Sequence, residues 1–150
     1  MALRLQKELA NFMRDPIPGM SLDHNSVEGN INVWVINVAG ASNTLYEGET
    51  FKLQFKFPQR YPFDSPSVMF IGNKIPEHPH IYSNGHICLS ILTDEWSPAL
   101  SVQSVCLSIV SMLSSCRTKA RPSDDERYVL TCRDPSDPKK TKWFFHDDDV

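Results

Sequence analysis

The sequence predicts an α+β fold, in which helices pack on one face of an antiparallel sheet. Two consecutive segments carry the alternating apolar pattern of strands, a third apolar segment follows them, and turn-rich stretches separate the three. Apolar residues at helical spacing precede these strands and also follow them. Because 150 residues is the size of one domain, we expect these elements to share a single core.

The N-terminal helix is predicted over residues 3–14 and ends at the run DPIPG. Proline lacks a backbone N–H and disfavours helical conformation in the residue before it, so the two prolines of this run stop the helix. From helical spacing, the apolar face of the helix is predicted to contain Leu5, Leu9, Phe12 and Met13.

The three predicted strands cover residues 31–38, 51–57 and 67–71. Their side chains point alternately to the two faces of the sheet, so the apolar half of each strand faces the core. In the first two strands, the residues predicted to face the core are Trp34, Ile36, Val38, Phe51, Leu53, Phe55 and Phe57. Three prolines between the second and third strands predict a fixed, irregular loop.

A second core helix is predicted after the run WSPAL at 96–100. Its apolar positions at helical spacing are Val102, Val105, Cys106, Ile109, Met112 and Leu113. Since Cys106 lies on this apolar face, it is predicted to be a small buried side chain rather than a reactive thiol. A short helix is predicted to begin near residues 128–130.

The C-terminal segment, residues 133–150, is rich in proline, lysine and aspartate and is predicted to be a flexible tail. The core domain is therefore assigned to residues 1–132. An aromatic cluster in the tail, at 143–145, is an exception, because exposed aromatic side chains usually dock. Packing on the core domain and docking on a partner both remain open for this cluster.

The charge and the apolar patterning exclude two classes of partner. A net charge of -3 leaves no concentrated basic face for nucleic acid. Charged residues interrupt every apolar run near the N-terminus, so neither a signal peptide nor a membrane span is expected. The four cysteines need no disulfide in a reducing compartment, and the cytoplasm and nucleus are the expected locations.

The residues that carry chemistry concentrate around Cys88, near His78, His80 and His86. A reactive thiol requires partial exposure, polar surroundings and donors for a developing oxyanion, and this segment contains residue types for all three. A zinc site, a hydrolase nucleophile and a thioester carrier are three interpretations of the same residues. The spacing does not match common zinc motifs, and Pro79 hinders convergence of the histidines beside it.

Several motifs of this chain resemble those of the ubiquitin-conjugating enzymes. They are YPFDSP at 61–66, HP at 78–79, NGHICLSIL at 84–92 and WSPAL at 96–100, in the order and spacing of that family. The resemblance extends from residue 3 to about residue 113. The HPH variant at 78–80 and the tail sequence KKTKW at 139–143 are similar to the W-type members of the family.

This resemblance implies a ubiquitin-conjugating-enzyme fold with an N-terminal helix, a four-stranded antiparallel meander, a catalytic loop and C-terminal helices. It implies that Cys88 accepts ubiquitin from the activating enzyme by transthiolation and donates it to an amine. A RING or U-box ubiquitin ligase is implied as a partner, and neither a metal nor an organic cofactor is implied. The alternative is a non-catalytic ubiquitin-binding module of the same fold, but such variants lack the cysteine.

The resemblance also assigns residues to the site. Beside Cys88 it implies a catalytic role for His80, and it implies support of the loop by His78, Pro79, Asn84 and Ser90. The residues implied to bind the activating enzyme and ligases are Arg4, Lys7, Phe63, Ser97, Pro98 and Ala99. The prolines that flank Phe63 also predict that its side chain is exposed.

The chain departs from the family pattern near the cysteine. His80 stands where the family usually has asparagine; a ring N–H can donate to an oxyanion, whereas a bond to the backbone would make its role structural. Ser90 stands where many lysine-modifying relatives carry aspartate, and the basic segment 117–121 stands where they have an acidic loop. Whether Asp124 and Asp125 return a carboxylate to the cysteine remains open.

These departures favour an α-amine as the acceptor. At physiological pH a lysine with a pKa near 10.4 is about 0.1% neutral, whereas an α-amine with a pKa near 7.8 is roughly a quarter neutral. An α-amine therefore needs less help from carboxylates near the thioester. Similarity to the W-type enzymes implies the same preference. We predict monoubiquitination of substrate proteins at flexible N-termini, with general lysine-directed conjugation as the alternative.

Overall fold

The computed structural model describes residues 2–140, and these form an antiparallel sheet with α-helices packed against it. In chain order the elements are α1 (Ala2–Arg14), β1 (Met20–Leu22), α2 (His24–Gly29), β2 (Val33–Ala39), β3 (Thr50–Lys56), β4 (Ser67–Ile71), α3 (Val102–Ser114) and α4 (Asp125–Thr131). Short 3₁₀ turns occupy Ser90–Leu92 and Pro138–Lys140. The predicted α+β class is confirmed.

The sheet is a meander in the order β1-β2-β3-β4, and each neighbouring pair of strands is antiparallel. Its last three strands coincide with the strands predicted from alternation, apart from small shifts at their ends. The strand β1 has only 3 residues, too few for an alternating pattern to stand out. The expectation of four strands therefore came from the family resemblance alone, and it is confirmed.

The core lies between the sheet and the helices α1 and α3. The residues that were predicted to face the core from the first two predicted strands, which correspond to β2 and β3, are all buried, from Trp34 to Phe57. The buried residues of α3 are Val102, Val105, Cys106, Ile109 and Leu113. Burial raises the pKa of Cys106, so this thiol stays protonated and acts as a small apolar side chain, as predicted.

Met13 is an exception to the predicted apolar face of α1. Its side chain is 53% exposed, whereas Leu5 and Phe12 are buried. Each residue advances the helix by about 100°, so Met13 lies at the margin of the stripe that contains Leu5, Leu9 and Phe12. On the opposite margin of that stripe, Glu8 is buried instead.

The two short helices differ from the prediction. The helix α2 was not predicted, because its sequence has little apolar periodicity and none of its residues is buried. Asp23 caps this helix by accepting the amide of Asn25. The helix α4 begins at Asp125, ahead of the predicted start near residue 128, and Tyr128 is its buried residue.

The segment after α4 lies against the start of β4. Ser67 Oγ donates to Asp137 at 3.1 Å, and Lys139 Nζ donates to the carbonyl of Ser65 at 2.8 Å. These contacts fall within the segment that was predicted to be flexible. The predicted boundary of the core domain at residue 132 stays a prediction.

Two further expectations concern the tail and the membrane. The aromatic cluster at 143–145 lies outside the described residues. The helices α1 and α3 have 13 residues each. Within residues 2–140, no helix is both long enough and apolar enough to cross a membrane.

Candidate active site

A short antiparallel bridge between Ile81 and Ile87 shapes the loop that carries Cys88. In this register His80 lies opposite Cys88, and the amide of Cys88 donates to the carbonyl of His80 at 2.8 Å. Residues opposite each other in such a pair place their side chains on one face, with Cβ atoms about 4.5–5.5 Å apart. Since Ile81 and Ile87 are buried on one face, His80 and Cys88 lie together on the other.

The turn at the tip of this loop depends on Asn84 and Gly85. Gly85 has a φ of +93°, which side chains disfavour, and a Cβ there would lie 2.0 Å from the carbonyl oxygen of Phe70. Asn84 Oδ1 accepts the amide of His86 at 3.2 Å and so closes the turn. Asn84 therefore lies where it can support the loop, and its part in catalysis stays a prediction.

His78 connects the loop to α3. Its buried ring donates from Nε2 to the carbonyl of Met112 at 3.0 Å, and its Nδ1 accepts the amide of His80 at 2.9 Å. Burial lowers the pKa of His78 to about 4, so the ring is neutral at physiological pH. Pro79 lies between the two histidines and restricts the backbone there. His78 and Pro79 therefore lie where they can support the loop, and their part in catalysis stays a prediction.

The Cys88 thiol is half-buried on this loop. Burial raises its pKa, and the negative charge of Asp124 raises the pKa further. A high thiol pKa makes the sulfur a poorer leaving group, which slows spontaneous loss of an attached acyl group. These surroundings suit a thioester carrier better than a hydrolase, whose cysteine needs a lowered pKa.

The question left open by the sequence for Asp124 and Asp125 has an answer in the structure. Asp124 accepts a hydrogen bond from the Tyr82 hydroxyl, with oxygen–oxygen distances of 3.1 and 3.3 Å. Asp125 accepts the amide of Ser83 at 2.7 Å. The start of α4 is thereby held against the catalytic loop, and a carboxylate does return to the neighbourhood of Cys88.

The cations of the basic segment 117–121 bind acceptors away from Cys88. Lys119 forms an ion pair with Glu49, with an N–O distance of 2.7 Å. The Arg121 guanidinium donates to three backbone carbonyls, those of Ile75, Pro76 and Ile81. The basic sequence therefore does not exclude an acidic group from the site, and Asp124 lies close enough to raise the pKa of Cys88.

A second cluster covers the loop beside Cys88. The fully buried His86 accepts the Tyr128 hydroxyl at Nδ1, at 2.8 Å, and donates from Nε2 to the carbonyl of Pro135 at 2.7 Å. Burial lowers the pKa of His86. The rings of Tyr82 and Tyr128 stack with centroids 3.7 Å apart. Sequence reasoning missed both tyrosines, because neither belongs to a periodic pattern or to a matched motif that marks its role.

The histidines near Cys88 are engaged in the fold. Both ring nitrogens of His78 and of His86 have hydrogen-bond partners. Within residues 2–140, no group of three histidine, cysteine or acidic side chains could hold a metal ion. The zinc interpretation therefore loses two of the ligands on which it depended.

Ser90 closes the loop on its C-terminal side. Its hydroxyl donates to Glu95 Oε2 at 3.0 Å, and its carbonyl accepts the amides of Thr93 and Glu95. The position where many lysine-modifying relatives carry aspartate thus holds a neutral hydroxyl that orders a 3₁₀ turn. Ser90 therefore lies where it can support the loop, and that role stays a prediction.

The residues implied to bind partners lie on α1 and on two loops next to it. Phe63 is 69% exposed, so its predicted exposure is confirmed. Lys7, Pro98 and Ala99 are also exposed, and Ser97 is half-buried. Trp96 Nε1 donates to the carbonyl of Pro62 at 2.9 Å and so joins the two loops. Their roles in partner binding stay predictions.

Arg4 and Glu8 hold these loops in place. Arg4 pairs with Glu8 at 2.8 Å and donates to two carbonyls in the loop before α3, at 3.1 and 2.8 Å. The buried Glu8 also accepts the amide of Val102 at 2.7 Å and the hydroxyl of Tyr61. Sequence reasoning missed Glu8, although a charge at a core-facing helical position is a signal that could have found it. The implied contact of Arg4 with partners stays a prediction beside this intramolecular role.

Comparisons with known proteins agree with this geometry. The family described as "Ubiquitin-conjugating enzyme" matches residues 4–145. The chain is 63% identical over 148 residues to the probable ubiquitin-conjugating enzyme E2 W-A of Danio rerio, covering 99% of this chain and 97% of the relative. It is 58% identical to the ubiquitin-conjugating enzyme E2 W of Caenorhabditis elegans, covering 98% of this chain and 95% of that relative.

A solved structure gives the same result for the fold. The ubiquitin-conjugating enzyme E2 UbcA1 from Agrocybe aegerita matches with a TM-score of 0.83 at 45% identity, covering 91% of this chain and 96% of that one. Members of the family carry ubiquitin as a thioester, and their partners are ubiquitin, the activating enzyme and ubiquitin ligases. The chain therefore belongs to the ubiquitin-conjugating enzymes and is of the W type.

Proposed function

We propose that Cys88 carries ubiquitin as a thioester and that the acceptor is the N-terminal α-amine of substrate proteins, which become monoubiquitinated. The observation that carries this proposal is the pairing of His80 with Cys88 on one face of the loop. Similarity over nearly the whole chain to relatives named E2 W supports it.

The chemistry at Cys88 has two steps. In the first, the thiol loses its proton, attacks the carbonyl of the ubiquitin thioester on the activating enzyme, and displaces the sulfur of that enzyme. In the second, a neutral amine attacks the Cys88 thioester. A C–N bond forms, the C–S bond breaks, the amine nitrogen releases a proton, and the sulfur leaves as a thiolate that takes up a proton.

The second step develops negative charge on the carbonyl oxygen, which a hydrogen-bond donor must stabilise. The amide of Cys88 is bound to the carbonyl of His80 and is already used. The half-buried His80 ring lies on the same face as the sulfur, and an imidazole N–H can donate to an oxyanion. We assign this donor role to His80.

The preference for an α-amine follows from acidity. At physiological pH roughly a quarter of an α-amine is unprotonated, against about 0.1% of a lysine. The Asp124 carboxylate attracts an ammonium of either kind, and Ser90 adds a neutral hydroxyl where many lysine-modifying relatives carry aspartate. A site with this composition serves the more acidic ammonium better, because that group gives up its proton more easily.

The partners follow from the same account. RING or U-box ligases would bind the exposed Phe63, Pro98 and Ala99 next to α1. Suitable substrates have flexible N-termini, because the terminal amine must reach a sulfur that is half-buried. We retain the cytoplasm and nucleus as the predicted locations.

The first test is formation of the thioester. Incubation with activating enzyme, ATP and ubiquitin should give a thiol-sensitive adduct on the wild type. Cys88→Ser should give a thiol-resistant ester, and Cys88→Ala should give no adduct. Absence of an adduct on the wild type would leave the non-catalytic binding module as the better interpretation.

The second test is the choice of amine. The isolated thioester is mixed with a flexible, lysine-free peptide that has a free N-terminus, or with an N-acetylated peptide that contains one lysine. We expect rapid discharge onto the first peptide and little onto the second. The reverse order of rates would support general lysine-directed conjugation. The lysine-free peptide after N-acetylation measures background hydrolysis.

A further inference from the structure

We propose that Tyr82 is a positioning residue whose hydroxyl holds the Asp124 carboxylate beside the Cys88 sulfur, where a protonated acceptor amine arrives. This inference rests on Cys88 being the thioester carrier, but it does not depend on a preference for α-amines. Nothing in the sequence motifs singles out Tyr82 for this role.

The side chain of Asp124 is turned away from its usual local partner. Asp124 occupies the N-cap position of α4, yet it makes no side-chain capping hydrogen bond. An aspartate at this position normally accepts a backbone amide of the first helical turn, as Asp23 does for α2. The Asp124 carboxylate instead accepts the Tyr82 hydroxyl through both oxygens, at 3.1 and 3.3 Å. Tyr82 lies two residues after His80 in the antiparallel pairing of Ile81 with Ile87, so its side chain is on the face of the loop that carries Cys88. The hydrogen bond from Tyr82 therefore ties the Asp124 carboxylate to that face of the catalytic loop.

Tyr82 is a rigid donor. Its side chain is 1% exposed, its ring stacks on Tyr128 at 3.7 Å, and its amide donates to the carbonyl of His86 at 2.9 Å. Burial raises the pKa of Tyr82, and the Asp124 charge raises it further, so the hydroxyl keeps its proton. The phenol can therefore only donate to the carboxylate in this pair.

A separate contact allows the hydroxyl to be removed without releasing α4. Asp125 accepts the backbone amide of Ser83 at 2.7 Å, and this bond does not involve a side chain of the loop. A Tyr82→Phe variant also keeps the ring that stacks on Tyr128. The substitution should therefore remove this hydrogen bond from the Asp124 carboxylate and leave the start of α4 in place.

The Asp124 carboxylate, held in place by Tyr82, would attract an acceptor amine that is still protonated. An incoming ammonium is attracted to Asp124 and loses one proton to it or to water, and the neutral amine then attacks the thioester. The C–N bond forms, the C–S bond breaks, the amine nitrogen releases its remaining excess proton, and Cys88 leaves as a thiolate that is reprotonated. An acceptor that is already uncharged gains nothing from the carboxylate.

The experiment compares a cationic acceptor with a neutral one at fixed pH. Thioesters of the wild type, Tyr82→Phe, Asp124→Asn and the double variant are discharged onto a lysine-free tripeptide with a free α-amine, or onto hydroxylamine, which is uncharged at neutral pH. We expect Tyr82→Phe to slow discharge onto the peptide about threefold to tenfold and discharge onto hydroxylamine by less than about twofold. The double variant should be no slower than Asp124→Asn.

Tyr46→Phe is the matched control. Its hydroxyl is also buried and donates to a backbone carbonyl, that of Glu77, so the variant loses a comparable hydrogen bond elsewhere. It should keep the wild-type ratio of the two discharge rates.

Three results would overturn the proposal. They are equal slowing of both acceptors in Tyr82→Phe, an unchanged rate with the peptide, and effects of the two substitutions that add in the double variant. All three require that the thioester on Cys88 forms. Failure of that first step would instead reject the proposed function, so the two failures can be told apart.

Discussion

Glu8 and Asp124 both join a helix to a loop by accepting a hydrogen bond from a tyrosine hydroxyl, but they differ in their exposure and in their other contacts. Glu8 is 6% exposed, and its other bonds go to Arg4 and to the amide of Val102. Asp124 is half-buried, and its negative charge raises the pKa of the Cys88 thiol. The Glu8 carboxylate binds only groups of the fold, whereas the Asp124 carboxylate is the one that we propose acts on the acceptor amine.

This difference separates two kinds of region. The network around Glu8 fixes the two loops that are predicted to bind partners, so its loss should act through stability. The loop around Cys88 is also tightly bonded, but His80 and Asp124 flank the thiol there. Their loss should act through the rate of transfer. Four predictions test this separation, from the largest expected effect to the smallest.

Replacement of Glu8 by alanine should cause the largest loss of stability. It leaves the Tyr61 hydroxyl and the Val102 amide without their acceptor and leaves Arg4 without its ion-pair partner. We expect the free energy of unfolding to fall by about 3 kcal/mol, measured by urea denaturation. Glu28→Ala, at an exposed position of α2, is the control and should change it by less than about 0.5 kcal/mol. If Glu8→Ala were as stable as this control, the proposed role of Glu8 in stability would be contradicted.

His78 should make stability depend on pH. Its pKa of about 4 in the folded protein lies below the ordinary value near 6.5, so the unfolded chain takes up a proton first as the pH falls. The contribution is complete above about pH 6.5 and is lost as the pH falls below this value, by about 2 kcal/mol at about pH 5. Urea denaturation across this range should show a shallower loss in His78→Gln. An identical pH dependence in the variant would exclude His78 as the cause.

His80 should affect transfer rather than folding. His80→Ala should load ubiquitin normally, because the backbone bonds of the loop remain, but discharge onto an amine should fall about tenfold. His80→Asn, which restores a donor, should recover most of the rate in the same single-turnover assay. If the alanine variant discharges at the wild-type rate, His80 has only a structural role.

The tail should show the smallest energetic effect. Its bonds to Ser65 and Ser67 are partly exposed, and such bonds contribute well under about 1 kcal/mol. The carbonyl of Pro135 also accepts a hydrogen bond from the buried His86. We expect rapid amide exchange in residues 133–140, the described part of the segment that is predicted to be flexible. Slow exchange through residues 134–140 would instead extend the core domain beyond residue 132.

The sequence was sufficient for the elements whose periodicity is long. The strands β2 and β3 and the helix α3 bury the residues that alternation or helical spacing predicts, except for Met112, which is partly buried. The strand β1, of three residues, and the helix α2, of six, were not predictable in this way, because they carry too little apolar pattern. For Met13, two adjacent apolar residues on a helix cannot both lie at the centre of a stripe.

The candidate site was predictable where motifs mark it and not where distant segments meet. Cys88, His78 and His80 lie within one short segment, so the sequence alone placed them together. The contact of Tyr82 with Asp124 joins residues 42 positions apart, so no local sequence pattern predicts it. The burial of Glu8 likewise depends on Tyr61 and on the start of α3. Tertiary contacts of this kind can be identified only when the fold is known.

The most direct test of the account is to map where ubiquitin is attached on a substrate that offers both kinds of amine. A protein with a flexible N-terminus and several exposed lysines is incubated with the complete conjugation system, and the products are digested and analysed by mass spectrometry. The account predicts a single ubiquitin on the N-terminal α-amine, and none on that site after N-terminal acetylation. Attachment mainly to lysines, unchanged by acetylation, would contradict it.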